Sequence, residues 1–99
     1  MTRQVEMICD QFVLSELTLN AVKAEATRAH LKHGSKSLGN PAMPTVEKLA
    51  ALVEEVGEVG RCLTYDQDHA GALVKELLQV ASVALSWVES IEGEPHSVT

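Results

Sequence analysis

The chain has 99 residues and a net charge of −6; hydrophobic residues make up 45% of it, but only Phe12, Tyr65 and Trp87 are aromatic. That length predicts one small domain, with a thin Leu, Val and Ala core that suits helix-on-helix packing and is completed by oligomerisation. The acidic balance excludes a nucleic-acid binder relying on a basic face. With no continuous apolar leader and no apolar run near the ~20 residues needed to span a bilayer, the expectation is a cytoplasmic protein with no membrane partner.

Residues 1–14 carry Val5, Ile8, Cys9, Phe12 and Val13 at helical spacing, although the segment QFVL reads equally well as a short extended piece. Ser15 or Thr18 is positioned to cap the next helix, Ser15 if it runs from Glu16; the pattern continues to about Lys32, with Leu17, Ala21, Ala24, Arg28 and Leu31 along one stripe. Gly34 suits the position after its C-terminus, and Lys32 and His33 suit the negative end of the helix dipole. The segment 34–44, GSKSLGNPAMP, is a loop long enough to suggest function.

Thr45 is expected to cap a second helix from Val46 to about Tyr65, with an apolar stripe of Val46, Leu49, Val53, Val56, Gly60 and Leu63. Asp66–His69 forms a short polar turn, and a last helix runs from about Ala70 to Ile91. That helix is apolar nearly all round, so it should be buried on most sides. The core of the single domain 1–99 is therefore 16–91, with the N-terminal segment and the tail 92–99 less ordered. Cys9 and Cys62 have no metal-type spacing and read as buried reduced thiols.

Glu54, Glu55 and Glu58 interrupt the apolar segment LAALVEEVGEVGRCL. At about 100° per residue all three crowd one helix face, where like charges repel by a few tenths of a kcal/mol per pair. A divalent cation would offset that repulsion. The two long helices on either side of a short turn must run antiparallel. Glu58 lies about eight residues before the turn and Glu76 about seven after it, which sets them level across the pair. Glu55 faces the level of Gln79 in the same way. Inward-facing carboxylates on paired helices are how bundles build metal sites, and hard oxygen ligands select Mg²⁺, or Mn²⁺ in its place, over zinc.

The bland readings are a solvated glutamate face and a Glu76 paired with Arg61 or Lys75. His30 and His33 read as solvated or capping groups, and Trp87 as core. Ser82, Ser86, Gly57 and Gly60 read as small residues allowing close approach.

LVEEVGEVGRCL followed by KELLQVASVALSWVE resembles the MazG-like all-α nucleoside triphosphate pyrophosphohydrolases, over roughly residues 46–90. The family's EExxE is matched by Glu54, Glu55 and Glu58, and the glutamate of its ExxD by Glu76, with seventeen residues between Glu58 and Glu76. LKHG at 31–34 also resembles the end of the family's first helix. The departure is Gln79, which stands where the ExxD aspartate is expected. A carboxamide is a weaker Mg²⁺ ligand than a carboxylate, so this position weakens the site, needs a substitute group, or marks lost activity.

The resemblance implies an all-α helical bundle and Mg²⁺-dependent cleavage of a nucleoside triphosphate between the α and β phosphates. It implies Glu55, Glu58 and Glu76 as metal ligands with Gln79 as a fourth, Glu54 orienting or deprotonating the attacking water, and Lys32 and Lys36 on the phosphates. A homodimer or homotetramer is expected. The alternatives are a non-catalytic helical oligomer that binds nucleotide or protein, and a phosphoribosyl-ATP pyrophosphohydrolase-like enzyme.

Overall fold

The structure is a computed structural model that describes residues 12–64 and 70–93. The described residues form three helices, α1 (Glu16–His33), α2 (Thr45–Thr64) and α3 (Ala70–Glu92), with a 3₁₀ turn at Gly34–Lys36. Among the described residues there is no strand, so the chain is all-α. The expected turn at 66–69, Cys9 and the tail beyond Gly93 lie outside the described residues, as does the N-terminal segment except for 12–14, which have no regular structure.

Ser15 caps α1, its side-chain oxygen accepting the Thr18 backbone N–H at 3.1 Å and so satisfying one of the helix's free donors. At the other end Gly34 takes φ 57° and donates its N–H to the His30 carbonyl. A side chain would strain that left-handed geometry, so the sequence ends the helix where its glycine falls. Loop 34–44 is a succession of turns. Ser37 N–H bonds Gly34 O at 2.9 Å, Ala42 N–H bonds Asn40 Oδ1 at 2.9 Å, and Glu47 N–H bonds Pro44 O at 3.0 Å. Ser37 pins the loop to α1, with its Oγ accepting from Gly39 N–H at 3.2 Å and lying 2.9 Å from His30 Nδ1.

Helices α2 and α3 run antiparallel: Lys48, near the start of α2, donates from Nζ to Ser90 Oγ at 2.6 Å near the end of α3. Helix α3 packs on both α1 and α2, whereas α1 and α2 do not pack on each other. Among the described residues it is thus the middle element of the three.

The apolar stripes do not fall where periodicity put them. On α2, Val46, Leu49, Val53, Val56 and Leu63 are all at least half exposed. The inward face carries Lys48, Ala51, Leu52, Glu55, Val59 and Cys62 instead, at the same helical spacing but rotated. On α1 the inward face is Ala21, Val22, Glu25, Ala26 and Ala29, while Leu17 and Leu31 are exposed. The amphipathic period was right and the phase was not, because one neighbouring helix covers only part of an apolar surface this wide. Nor is α3 buried on most sides, since Val74, Leu77, Leu85, Val88 and Ile91 are exposed. By length and a mean hydropathy of 1.3, its Gly71–Glu92 segment is apolar enough to cross a membrane. The residue-by-residue reading missed this because Lys75, Glu76 and Gln79 break the run in its first turns.

Candidate functional site

A cleft of about 290 Å³ opens between α1, loop 34–44, α2 and α3. Its walls change character along α3. Gln79 faces Glu25, Glu54 and Glu55 at one end; Ser82, Val83 and Ser86 continue along the wall, opposite Ala51. At 1.5 Å per residue the lining from Gln79 to Ser86 spans about 10 Å. The loop closes the far side with Lys36, Ser37, Leu38 and Met43.

The charged end is built around Gln79. Its amide donates from Nε2 to Glu55 Oε1 at 3.2 Å and to Glu76 Oε1 at 3.0 Å. The reverse orientation would set its carbonyl against both carboxylates, so the neighbours fix which way it points. One neutral side chain thus joins a carboxylate from each of two helices. Burial, then the charges of Glu76, Glu54, Glu58 and Glu25 in that order, push the Glu55 carboxyl above its ordinary value of 4.5. A half-buried group facing four other glutamates is short of positive charge.

Glu25 is the opposite case. Hydrogen bonding from Arg28 holds it below its ordinary value against the opposing effect of burial, helped by the charges of Arg28 and Lys75. The Arg28 guanidinium pairs with both Glu25 oxygens, its Nε reaching Oε1 at 3.2 Å. Arg28 hydrogen-bonds Glu25 and acts on Glu55 only through its charge, whereas the Gln79 amide hydrogen-bonds both Glu55 and Glu76.

The expected site residues divide as follows. Glu55, Glu76 and Gln79 come together. Glu54 lines the cleft and is exposed. Glu58 is exposed and outside the lining, but near enough to act on Glu55. Lys36 lines the cleft, whereas Lys32 is exposed and is not part of the wall. Glu76 has no ion pair among the described residues, so the pairing with Arg61 or Lys75 does not form. Trp87 stays out of the cleft, its indole Nε1 buried without a hydrogen-bond partner. Gly57 and Gly60 have nothing within 4 Å of a side chain built on them among the described residues.

Glu25 and Arg28 were missed. Arg28 was read as part of an apolar stripe, and the one available signal was Glu25–Arg28 at the three-residue spacing that pairs charges on a helix.

Among the described residues, no three carboxylate, imidazole or thiolate groups converge as a ligand set for one ion. Mg²⁺ asks for less: it retains several waters and is commonly held by one or two protein carboxylates together with substrate phosphates. Glu55 and Glu76 supply two, and a rotation of the Gln79 amide would present its carbonyl oxygen as a third. The residues therefore fit a partly hydrated hard cation. No family model, curated protein or solved structure matches this chain.

Proposed function

We propose that this protein is a Mg²⁺-dependent nucleoside triphosphate pyrophosphohydrolase of the MazG-like type, releasing a nucleoside monophosphate and pyrophosphate. The observation that carries the reading is the convergence of Glu55, Glu76 and Gln79 at the mouth of a cleft, where burial and four neighbouring carboxylates raise the Glu55 pKa. Mg²⁺ held by Glu55 and Glu76 would neutralise phosphate oxygens and acidify a water. Glu54, exposed at the same end, orients that water and takes its proton as the oxygen attacks the α-phosphorus. The α-phosphorus–oxygen bond to the leaving pyrophosphate then breaks. Lys36 meets the phosphates as a point charge, and the loop that Ser37 ties to α1 keeps bulk water from the sugar and base. Glu58, which acts on Glu55 through its charge, would join the ligand set once phosphate is bound.

The proposal includes a cytoplasmic homo-oligomer. Val53, Val56 and Leu63 of α2 are 60%, 52% and 60% exposed, which is too much aliphatic surface for so small a chain to leave in water. Gly57 and Gly60 share that helix and each costs about 1 kcal/mol inside it relative to alanine. Their open surroundings are what the close approach of a helix from a second copy requires.

One observation favours a second reading, nucleotide binding without turnover: the Gln79 amide already satisfies the two carboxylates that would hold the ion. Incubation with a panel of nucleoside triphosphates and phosphoribosyl-ATP, with Mg²⁺ or Mn²⁺, separates the two. Pyrophosphate release that Glu76→Gln abolishes supports the enzyme; saturable nucleotide binding with no product supports the binder.

A further inference from the structure

Ser82 lies one helical turn beyond Gln79 on the cleft wall. The residue is 3% exposed, yet its hydroxyl makes no hydrogen bond among the described residues. A serine in mid-helix ordinarily turns its hydroxyl to the carbonyl one turn back or to solvent; Ser82 makes no bond to its helix, which leaves its hydroxyl to the cleft that the residue lines. A hydroxyl on an otherwise buried residue that meets only a cleft is placed to pair with what the cleft holds. The other buried serine at this cleft, Ser37, already has its hydroxyl held by His30 and Gly39.

The surroundings define what could partner Ser82. Val83 and Ala51 flank it as apolar surface, and the carboxylate end begins at Gln79. A group seated there would be flat or apolar on its faces, polar at one edge, and joined to something anionic toward Glu55. A nucleobase on a phosphorylated sugar has that form. Building on the nucleotide reading above, we propose that Ser82 is a specificity-determining residue whose hydroxyl hydrogen-bonds the polar edge of the base. A hydroxyl both donates and accepts, so it can meet an amino or a keto edge. A site containing such a group selects against ligands that leave it unpaired.

The test is equilibrium binding of nucleoside monophosphates and of ribose 5-phosphate, with Mg²⁺ present, to wild type and to Ser82→Ala. Alanine favours the helix, and far-ultraviolet circular dichroism with a thermal melt confirms that the variant folds. Loss of one neutral hydrogen bond predicts about a fivefold to tenfold weaker monophosphate affinity. Ribose 5-phosphate, which has no base, should bind both proteins equally, and Ser82→Thr should recover part of the monophosphate affinity. Equal weakening of both ligands would make Ser82 merely structural and overturn the proposal, as would unchanged monophosphate binding. A wild-type protein that binds monophosphates no better than ribose 5-phosphate removes the nucleotide reading itself, and this inference with it.

Discussion

Replacing Gln79 by aspartate should make the metal-free protein less stable and its response to Mg²⁺ larger. In the wild type the amide donates to Glu55 at 3.2 Å and to Glu76 at 3.0 Å. Hydrogen bonds to charged groups contribute about 1.5–3 kcal/mol when buried, and half-burial at this site reduces that to about 1 kcal/mol each. Aspartate removes both and adds a third negative charge. Coulomb energies at about 4 Å range from about 1 kcal/mol in water to about 4 kcal/mol near a protein surface, so two new repulsions cost about 2 kcal/mol at the lower limit. The sum, about 4 kcal/mol, is a large part of the 5–15 kcal/mol typical of a domain.

Calorimetric melts in EDTA and in excess Mg²⁺ measure it. In EDTA the variant should melt more than about 15 °C below wild type, since 1 kcal/mol corresponds to about 4–8 °C for a domain this size. Saturating Mg²⁺ should recover most of that difference while moving wild type by only a few degrees. Equal melting temperatures in EDTA, or an equal Mg²⁺ shift in both proteins, would refute the reasoning, because Gln79 would then not be holding two carboxylates together.

The Glu55 pKa gives a pH signature. Its folded value lies above 4.5, so the folded state holds that proton more tightly than the unfolded state. The metal-free protein should therefore lose stability as pH rises from about 4.5 through the raised value, and Glu55→Gln should flatten that slope in urea titrations at a series of pH values. Glu25 acts in the opposite sense: its pKa is lowered, so its contribution is present above 4.5 and is lost as pH falls through the folded value. Lys48 is 2% exposed and among the described residues bonds only the neutral Ser90 hydroxyl, so Lys48→Met should leave stability unchanged or raise it by about 1–2 kcal/mol in urea unfolding. If the exposed α2 face closes the proposed oligomer, Gly57→Leu should give monomers on sizing with light scattering, whereas Gly57→Ala should not. Gly34→Ala should cost about 1 kcal/mol because of the left-handed backbone at that position.

The helices were legible in the sequence because their ends carry local chemistry. Ser15 and Gly34 bracket α1 through a side-chain acceptor and a positive φ, neither of which needs tertiary contacts. The packed faces were not legible. Val46, Leu49 and Val53 and, rotated from them, Lys48, Leu52 and Glu55 both run at helical spacing, and which set turns inward depends on what else is present to cover the other. The buried Lys48 is the clearest case, since its hydrogen-bond partner is 42 positions away. Counting outward from the turn placed Glu55 opposite Gln79, because antiparallel helices keep a fixed register. Nothing in the count revealed that the amide would donate to two carboxylates, or that Arg28 would be committed to Glu25, since both depend on side-chain direction in three dimensions.

Phosphorus-31 NMR of the products formed from nucleoside triphosphates with Mg²⁺ tests the central claim most directly. Monophosphate and pyrophosphate should accumulate together with no diphosphate, and Glu76→Gln should abolish both while remaining folded. Release of inorganic phosphate with diphosphate, or undiminished turnover by Glu76→Gln, would contradict it.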